Sequence, residues 1–196
     1  MLMPQRFAVD ALPATPWKNG GGSTREIACW PQGAGFEGFD WRVSIATIAA
    51  SGPFSRFAGV DRIITLLDGP GVHMQGEGVD HRLDTPLAPF AFSGDVAIEG
   101  TLLGGVGCSD FNVMTRRGRL RAQVQVLRGA ADLAPAPHGL LLAWQGDWRA
   151  GDQALAQGQG LWWADAPAGW RLQEDEGNAP AALLAVQWQI DEGASS

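Results

Sequence analysis

The chain has 196 residues, 45% of them hydrophobic, and a formal charge of −7. That is enough apolar material for one sizeable core or two small fused ones, and it excludes a disordered polypeptide. The acidic balance argues against a general binder of nucleic acid. No apolar run approaches a membrane span, and residues 1–12 carry no signal-peptide pattern, so a soluble cytoplasmic protein is expected.

The first unusual segment is Pro16-Trp17-Lys18-Asn19-Gly20-Gly21-Gly22-Ser23-Thr24-Arg25-Glu26. It holds the only lysine; the other thirteen basic residues are arginines. A lysine head can pair with a small anion while its stem lies on the Trp17 face. The glycines allow a tight turn or a close approach of backbone to a ligand. No GK[ST] follows them, so they are not a phosphate loop, although they could form an anion-binding nest of N–H groups.

Short apolar or alternating runs between Gly, Pro and Asp then predict strands throughout, with no helical period. Ser23–Trp30 is the first. Phe39–Ile48 is the clearest, with Phe39, Trp41, Val43 and Ile45 on one face and Asp40, Arg42, Ser44 and Ala46 on the other. Arg62–Leu67 follows, and Gly71–Gln75 and Val79–Leu83 flank Gly76-Glu77-Gly78 as a hairpin. Phe90-Ala91-Phe92 leads into the turn Ser93-Gly94-Asp95, and Val96–Leu103 is read as the next strand. Leu120–Leu127 alternates, which makes part of the arginine cluster Arg116, Arg117, Arg119, Arg121 and Arg128 the wet side of a strand. Leu140–Trp144, Leu161–Trp163, Trp170–Leu172 and Leu183–Ile190 complete the series, and Asp191–Ser196 is expected to fray. Two related halves are suggested, either as two antiparallel β-sandwiches or barrels or as one large barrel.

Chemistry-bearing patterns are few. His73, His81 and His138 lack the i, i+2 spacing that puts two imidazoles on one strand face, so neither a metal nor another cofactor is expected. Cys29 and Cys108 are expected to be buried free thiols. Arg42 and Ser44 share a strand face, as do Thr24 and Glu26. If that face lines a cavity, Lys18, Arg42, Thr24 and Ser44 can bind a carboxylate, with Glu26 balancing the charge. Alternatively they form a buried polar network joining two strands. In Cys108–Gly118, Asp110 and Asn112 face one way and Phe111 and Val113 the other; the polar pair either organises a turn or reaches the same cavity.

These segments also carry a resemblance. Pro16–Ile27, Phe39–Ala46, Gly52-Pro53-Phe54-Ser55, Gly59-Val60-Asp61-Arg62, Phe90–Asp95 and Asp110–Arg116 resemble, in order, the motifs of the bacterial HutD/Ves family. That family is similar to cupins, which implies an all-β bicupin: two cupin-like antiparallel barrels or sandwiches, here divided as 1–118 and 119–196 with strands exchanged between the halves. The His-rich motif of metal cupins is absent, so metal-dependent catalysis is not expected. The family motifs mark Trp17, Lys18, Asn19, Thr24, Glu26, Arg42, Asp110, Asn112 and Arg116 as ligand-binding candidates, to which residue pattern adds Ser44; none is assigned as catalytic.

The resemblance implies an accessory or regulatory role in histidine utilisation or stress response. The partner it implies is a small carboxylate such as formylglutamate or a related pathway intermediate. One alternative is a metal-independent enzyme using Glu26 or Asp110 as general base. A carboxylate beside cations normally has a depressed pKa, which disfavours it. Another alternative is a structural protein whose nine tryptophans include an exposed subset forming a homodimer surface.

Overall fold

The computed structural model describes residues 4–35, 37–175, 177 and 180–191. Residues 192–196, in the tail expected to fray, lie outside these. Among the described residues, nineteen strands run β1 (Gln5–Ala8), β2 (Thr15–Pro16), β3 (Gly22–Trp30), β4 (Trp41–Ile48), β5 (Gly52–Pro53), β6 (Val60–Asp68), β7 (Val72–Gly76), β8 (Val79–Leu83), β9 (Pro89–Ser93) and β10 (Glu99–Leu102). They continue with β11 (Cys108–Arg116), β12 (Leu120–Leu127), β13 (Ala131–Ala136), β14 (His138–Gln145), β15 (Trp148–Ala150), β16 (Gln153–Leu155), β17 (Gln159–Trp163), β18 (Ala168–Glu174) and β19 (Ala182–Ile190). Among the described residues no helix is long and apolar enough to cross a membrane.

The chain divides into two compact units, Pro13–Arg119, and Met1–Leu12 with Leu120–Ser196. The Pro13–Arg119 unit has a six-stranded antiparallel sheet, ordered β2-β3-β4-β11-β6-β9, and a four-stranded sheet, ordered β5-β10-β7-β8. Side chains of both sheets meet in one core that includes Ile48, Ile64, Leu66, Val72, Met74, Leu83 and Leu102. In β4 the alternation is as the sequence predicts, but both faces are buried: Trp41 and Val43 on one side, Arg42 and Ser44 on the other. Residues 108–116 form the central strand β11 rather than a turn, with β4 and β6 as its neighbours.

The other unit has a five-stranded sheet, β1-β17-β14-β19-β12, and a four-stranded sheet, β13-β18-β15-β16. Its core is apolar, built from Leu141, Trp148, Leu155, Leu161, Trp163, Leu172 and Leu183 among others. The Trp163 indole lies against Gly139, where a Cβ would come within 2.1 Å of the ring. Trp163 Nε1 donates to the Ala136 carbonyl at 2.9 Å.

Two expectations are corrected. The strand predicted over 96–103 is formed only at Glu99–Leu102, because Gly94 and Asp95 are tied into a loop that carries the chain on to β10. His73 pairs in register with Arg82 and His81 with Met74, so the two imidazoles point to opposite faces of their hairpin. No tryptophan is exposed; all nine are buried or half-buried.

The contact at Gly139 is testable. Gly139→Ala forces a rigid indole aside and is expected to destabilise the fold by roughly 1–3 kcal/mol. Thermal unfolding reads this directly, and an unchanged Tm would show that the Trp163 ring moves at no cost.

Candidate functional site

Register brings polar groups together on the inner face of the six-stranded sheet. Glu26, Ser44, Asn112 and Ile64 form one cross-strand row. Cys29, Arg42, Met114, Arg62 and Phe92 form the next. On the other side lie Thr24, Ala46, Asp110 and Leu66. A bulge between Glu26 and Ala28 keeps both Glu26 and Cys29 on this face. It sets the Glu26 carboxylate 2.6 Å from Arg42 Nε. The Glu26 side chain is 48% exposed, so solvent reaches the inner face here, and the pair itself adds little stability.

The deepest cation is Arg62. Its guanidinium lies 4.9 Å from the ring centre of Phe92, 5.5 Å from Phe57 and 6.0 Å from Phe54. It donates through Nη1 to the Ser55 carbonyl at 3.3 Å and through Nη2 to Asn112 Oδ1 at 3.4 Å, while Nε is buried without a partner. Burial, reinforced by the like charge of Arg42, lowers its pKa to about 10; Asp110 opposes the shift.

Asp110 is 2% exposed, and among the described residues its carboxyl has no hydrogen-bond or ion-pair partner. Burial raises its pKa to about 7 against the opposing pull of Arg62. The depressed value expected of a carboxylate near cations does not hold here, because no cation touches it. Cys108, two residues earlier on the same face, is pushed up to about 11 by burial and then by Asp110, so its thiol is unreactive.

The remaining candidates lie elsewhere. Trp17 Nε1 donates to Thr24 Oγ1 at 2.8 Å, and the indole packs on the barrel core. Gly22 is required there, since a Cβ would sit 2.2 Å from the Thr47 carbonyl and 2.9 Å from the Trp17 ring. Lys18 and Asn19 occupy the exposed turn of this hairpin, where Asn19 Oδ1 accepts from the Gly21 amide at 3.0 Å. Arg116 spans loop carbonyls, donating to Glu37 at 3.0 Å, Ala58 at 3.3 Å and Phe39 at 3.4 Å. Thus Thr24, Glu26, Arg42, Ser44, Asp110 and Asn112 share one face with Arg62, with Trp17 hydrogen-bonded to Thr24; Lys18, Asn19 and Arg116 do not join them. Among the described residues no group of three or more His, Cys, Asp or Glu side chains is placed to hold a metal ion.

The profile of the HutD family matches residues 9–180. The chain belongs to the HutD family. Among similar proteins, Protein Ves of Cronobacter sakazakii is 39% identical over 171 residues, covering 87% of this chain and 93% of that protein. A solved conserved protein of unknown function from Pseudomonas aeruginosa PAO1 is 36% identical, with a TM-score of 0.82 over 96% of this chain and 100% of the other. HutD from Pseudomonas fluorescens SBW25, solved in a formate condition, is 30% identical, with a TM-score of 0.83 over 96% and 100% of the two chains.

In this HutD-family chain three motifs converge on Arg62, a residue that motif-by-motif analysis left out of the site. Gly52–Ser55 supplies the Phe54 ring and the Ser55 carbonyl. Gly59–Arg62 and Phe90–Asp95 are locked together: Asp95 accepts from the Gly59 amide at 2.8 Å, and Arg117 bridges Asp61 at 2.7 Å and Asp95 at 2.8 Å. Gly94 sits where a Cβ would be 2.7 Å from both the Phe57 and Val60 carbonyls. The available signal was Arg62 in phase with Ile64 and Leu66 on an apolar strand face.

The Gly59 amide, with help from Arg117 and Ser93, lowers the Asp95 pKa to about 2 from the usual 3.8. A depressed folded-state pKa gives stability that is complete above the unfolded value and lost as pH falls through the folded one. Asp95→Asn is therefore expected to lower Tm by a few degrees at neutral pH, with the gap closing between pH 4 and 2 (approximate bounds). A gap that stays constant across that range in thermal melts would remove the charge from the account of this clamp.

Proposed function

We propose that this HutD-family protein binds a small carboxylate on the inner face of its Pro13–Arg119 unit, in an accessory or regulatory role in histidine utilisation or stress response. The observation that carries the proposal is Arg62: a guanidinium buried among aromatic rings, with Nε unpartnered, within electrostatic range of a second inward arginine, Arg42. Two like charges close enough to disturb each other are relieved by an anion between them. A guanidinium fork suits a carboxylate. The Ser44 hydroxyl and the Asn112 amide nitrogen, also without partners among the described residues, are further donors on the same face. The formate condition of the Pseudomonas fluorescens HutD structure supports testing the simplest carboxylate first. Formylglutamate is the proposed physiological class, with the histidine pathway as its source.

Calorimetry with formate, glutamate, urocanate and formylglutamate tests this. At least one should bind, and R62A or R42A should weaken binding by about 10–100-fold, the value of a charge-assisted hydrogen bond. R62K, which keeps the charge and loses the fork, separates geometry from charge. Absence of binding by all four, or wild-type affinity in R62A, would remove the proposal.

One observation favours a second reading. An unpartnered carboxyl near pH 7, as at Asp110, suits a general base. Turnover of a pathway intermediate by chelator-treated protein, lost in D110N, would make the chain an enzyme; binding without turnover would set that reading aside.

A further inference from the structure

We propose that Asp110 sits in the empty site as a neutral carboxylic acid, that its O–H donates to the bound carboxylate, and that above neutral pH each anion is taken up together with one proton. The inference rests on the carboxylate-binding reading and specifies what that site selects.

The inner face presents charged groups from several strands. Arg62 on β6 and Arg42 on β4 are positive, and Glu26 on β3 is negative and already paired with Arg42. From the four-stranded sheet Val72, Met74 and Leu102 contribute only apolar surface. His81 on β8 is stacked on Phe90, with ring centres 3.6 Å apart. Cys29 and Cys108 are the remaining titratable groups on this face, and burial raises the pKa of both thiols, which disfavours their thiolates at neutral pH. If Asp110 were ionised, two positive and two negative charges would leave no net charge on this face. An incoming anion would then be buried with nothing to balance it, which is costly. With Asp110 protonated the face carries one net positive charge, matching a single carboxylate.

Asp110 is built for the neutral form. It is buried between the Ala46 and Leu66 positions of the flanking strands, and no backbone N–H or arginine hydrogen-bonds its carboxyl among the described residues. A carboxylate normally buried in a protein is held by two or three such donors. Here the missing partner is an acceptor, and a ligand carboxylate oxygen supplies it. The proton moves from solvent to the Asp110 oxygen and no bond is broken. The raised pKa, about 7, sets the range in which the exchange becomes visible. The site should therefore favour a monoanionic end group.

The test uses the full-length protein and formate, which stays ionised across the range. Formate affinity should be level below about pH 6.5 and fall about tenfold per pH unit above about pH 7.5. Calorimetry at pH 8.5 (an approximate working value) in buffers of different ionisation enthalpy should show about one proton taken up per formate bound. D110N, whose amide donates without titrating, should retain formate binding with the slope abolished. Separately, the Asp110 carboxyl carbon of the wild-type protein, followed by NMR, should titrate near neutrality and shift upward when formate is added.

Formate binding with a flat pH profile, or a slope that survives in D110N and so belongs to His81 or another group, would overturn the inference and leave carboxylate binding standing. An Asp110 carboxyl that titrates in the ordinary carboxylate range would overturn it even if D110N failed to fold. Failure of every carboxylate to bind would instead remove the reading on which it rests.

Discussion

Burying an arginine inside a β-barrel is the constraint on which the Pro13–Arg119 unit is organised. Taking a guanidinium out of water costs several kcal/mol, on the order of what a small domain gains in net stability. Arg62 is compensated from two directions: the Phe92, Phe57 and Phe54 rings face its charge, and the Ser55 carbonyl and Asn112 accept its N–H groups. Each compensating group needs the chain on either side of Arg62 to be fixed. The Asp95–Gly59 hydrogen bond, the Arg117 bridges and the wedge at Gly94 fix it. An exposed clamp that would matter little as isolated surface ion pairs therefore matters as the scaffold of a buried charge.

The same low-dielectric interior decides the state of Asp110. Attraction to Arg62 favours the carboxylate, and desolvation favours the acid; desolvation wins because the two side chains are not in contact. The Arg42–Glu26 pair is arranged differently: its partners touch at 2.6 Å and lie partly in water. The inner face thus grades from a solvated ion pair at β3 to an unpaired acid on β11, a distance of two strands.

The strand pattern was legible because alternation reports which residues share a face, and register then only has to align the rows. Arg42 with Ser44, and Asp110 with Asn112, were visible as same-face pairs on that basis, but alternation alone left open whether those faces turn inward. Lys18 was not placed correctly by its oddity, since a lone lysine after a tryptophan marks the segment but not which way a turn residue points; the turn leaves it in solvent. Arg62 was passed over for the converse reason. It opens an apolar run, where an arginine resembles a strand end, and its burial depends on Phe54, Phe57 and Phe92, which lie on separate segments and meet only through tertiary packing. The shortened strand at Glu99 has the same origin: local alternation continues back to Val96, but the long-range bond between Asp95 and Gly59 holds the chain in a loop first.

In the unit that includes Leu120–Ser196, the inner row of β19 runs from Leu183 through Ala185 to a buried polar residue, Gln187. Its amide is satisfied within the protein, donating to the Ala134 carbonyl at 2.7 Å, and the rest of that interior is filled by Trp148, Trp163 and leucines. A buried polar group with an internal partner adds specificity to a fold and asks nothing of a ligand. Asp110, Ser44 and the free Nε of Arg62 have no such partners among the described residues, although they are as deeply buried. Leaving several polar groups unpaired in one barrel costs on the order of 1–3 kcal/mol each. Trp170 Nε1, in the unit that includes Leu120–Ser196, is also buried without a hydrogen-bond partner, so one such group does not by itself call for a ligand; what sets the Pro13–Arg119 unit apart is that Asp110, Ser44 and Arg62 Nε lie on one sheet face, where the proposed carboxylate would supply the missing bonds.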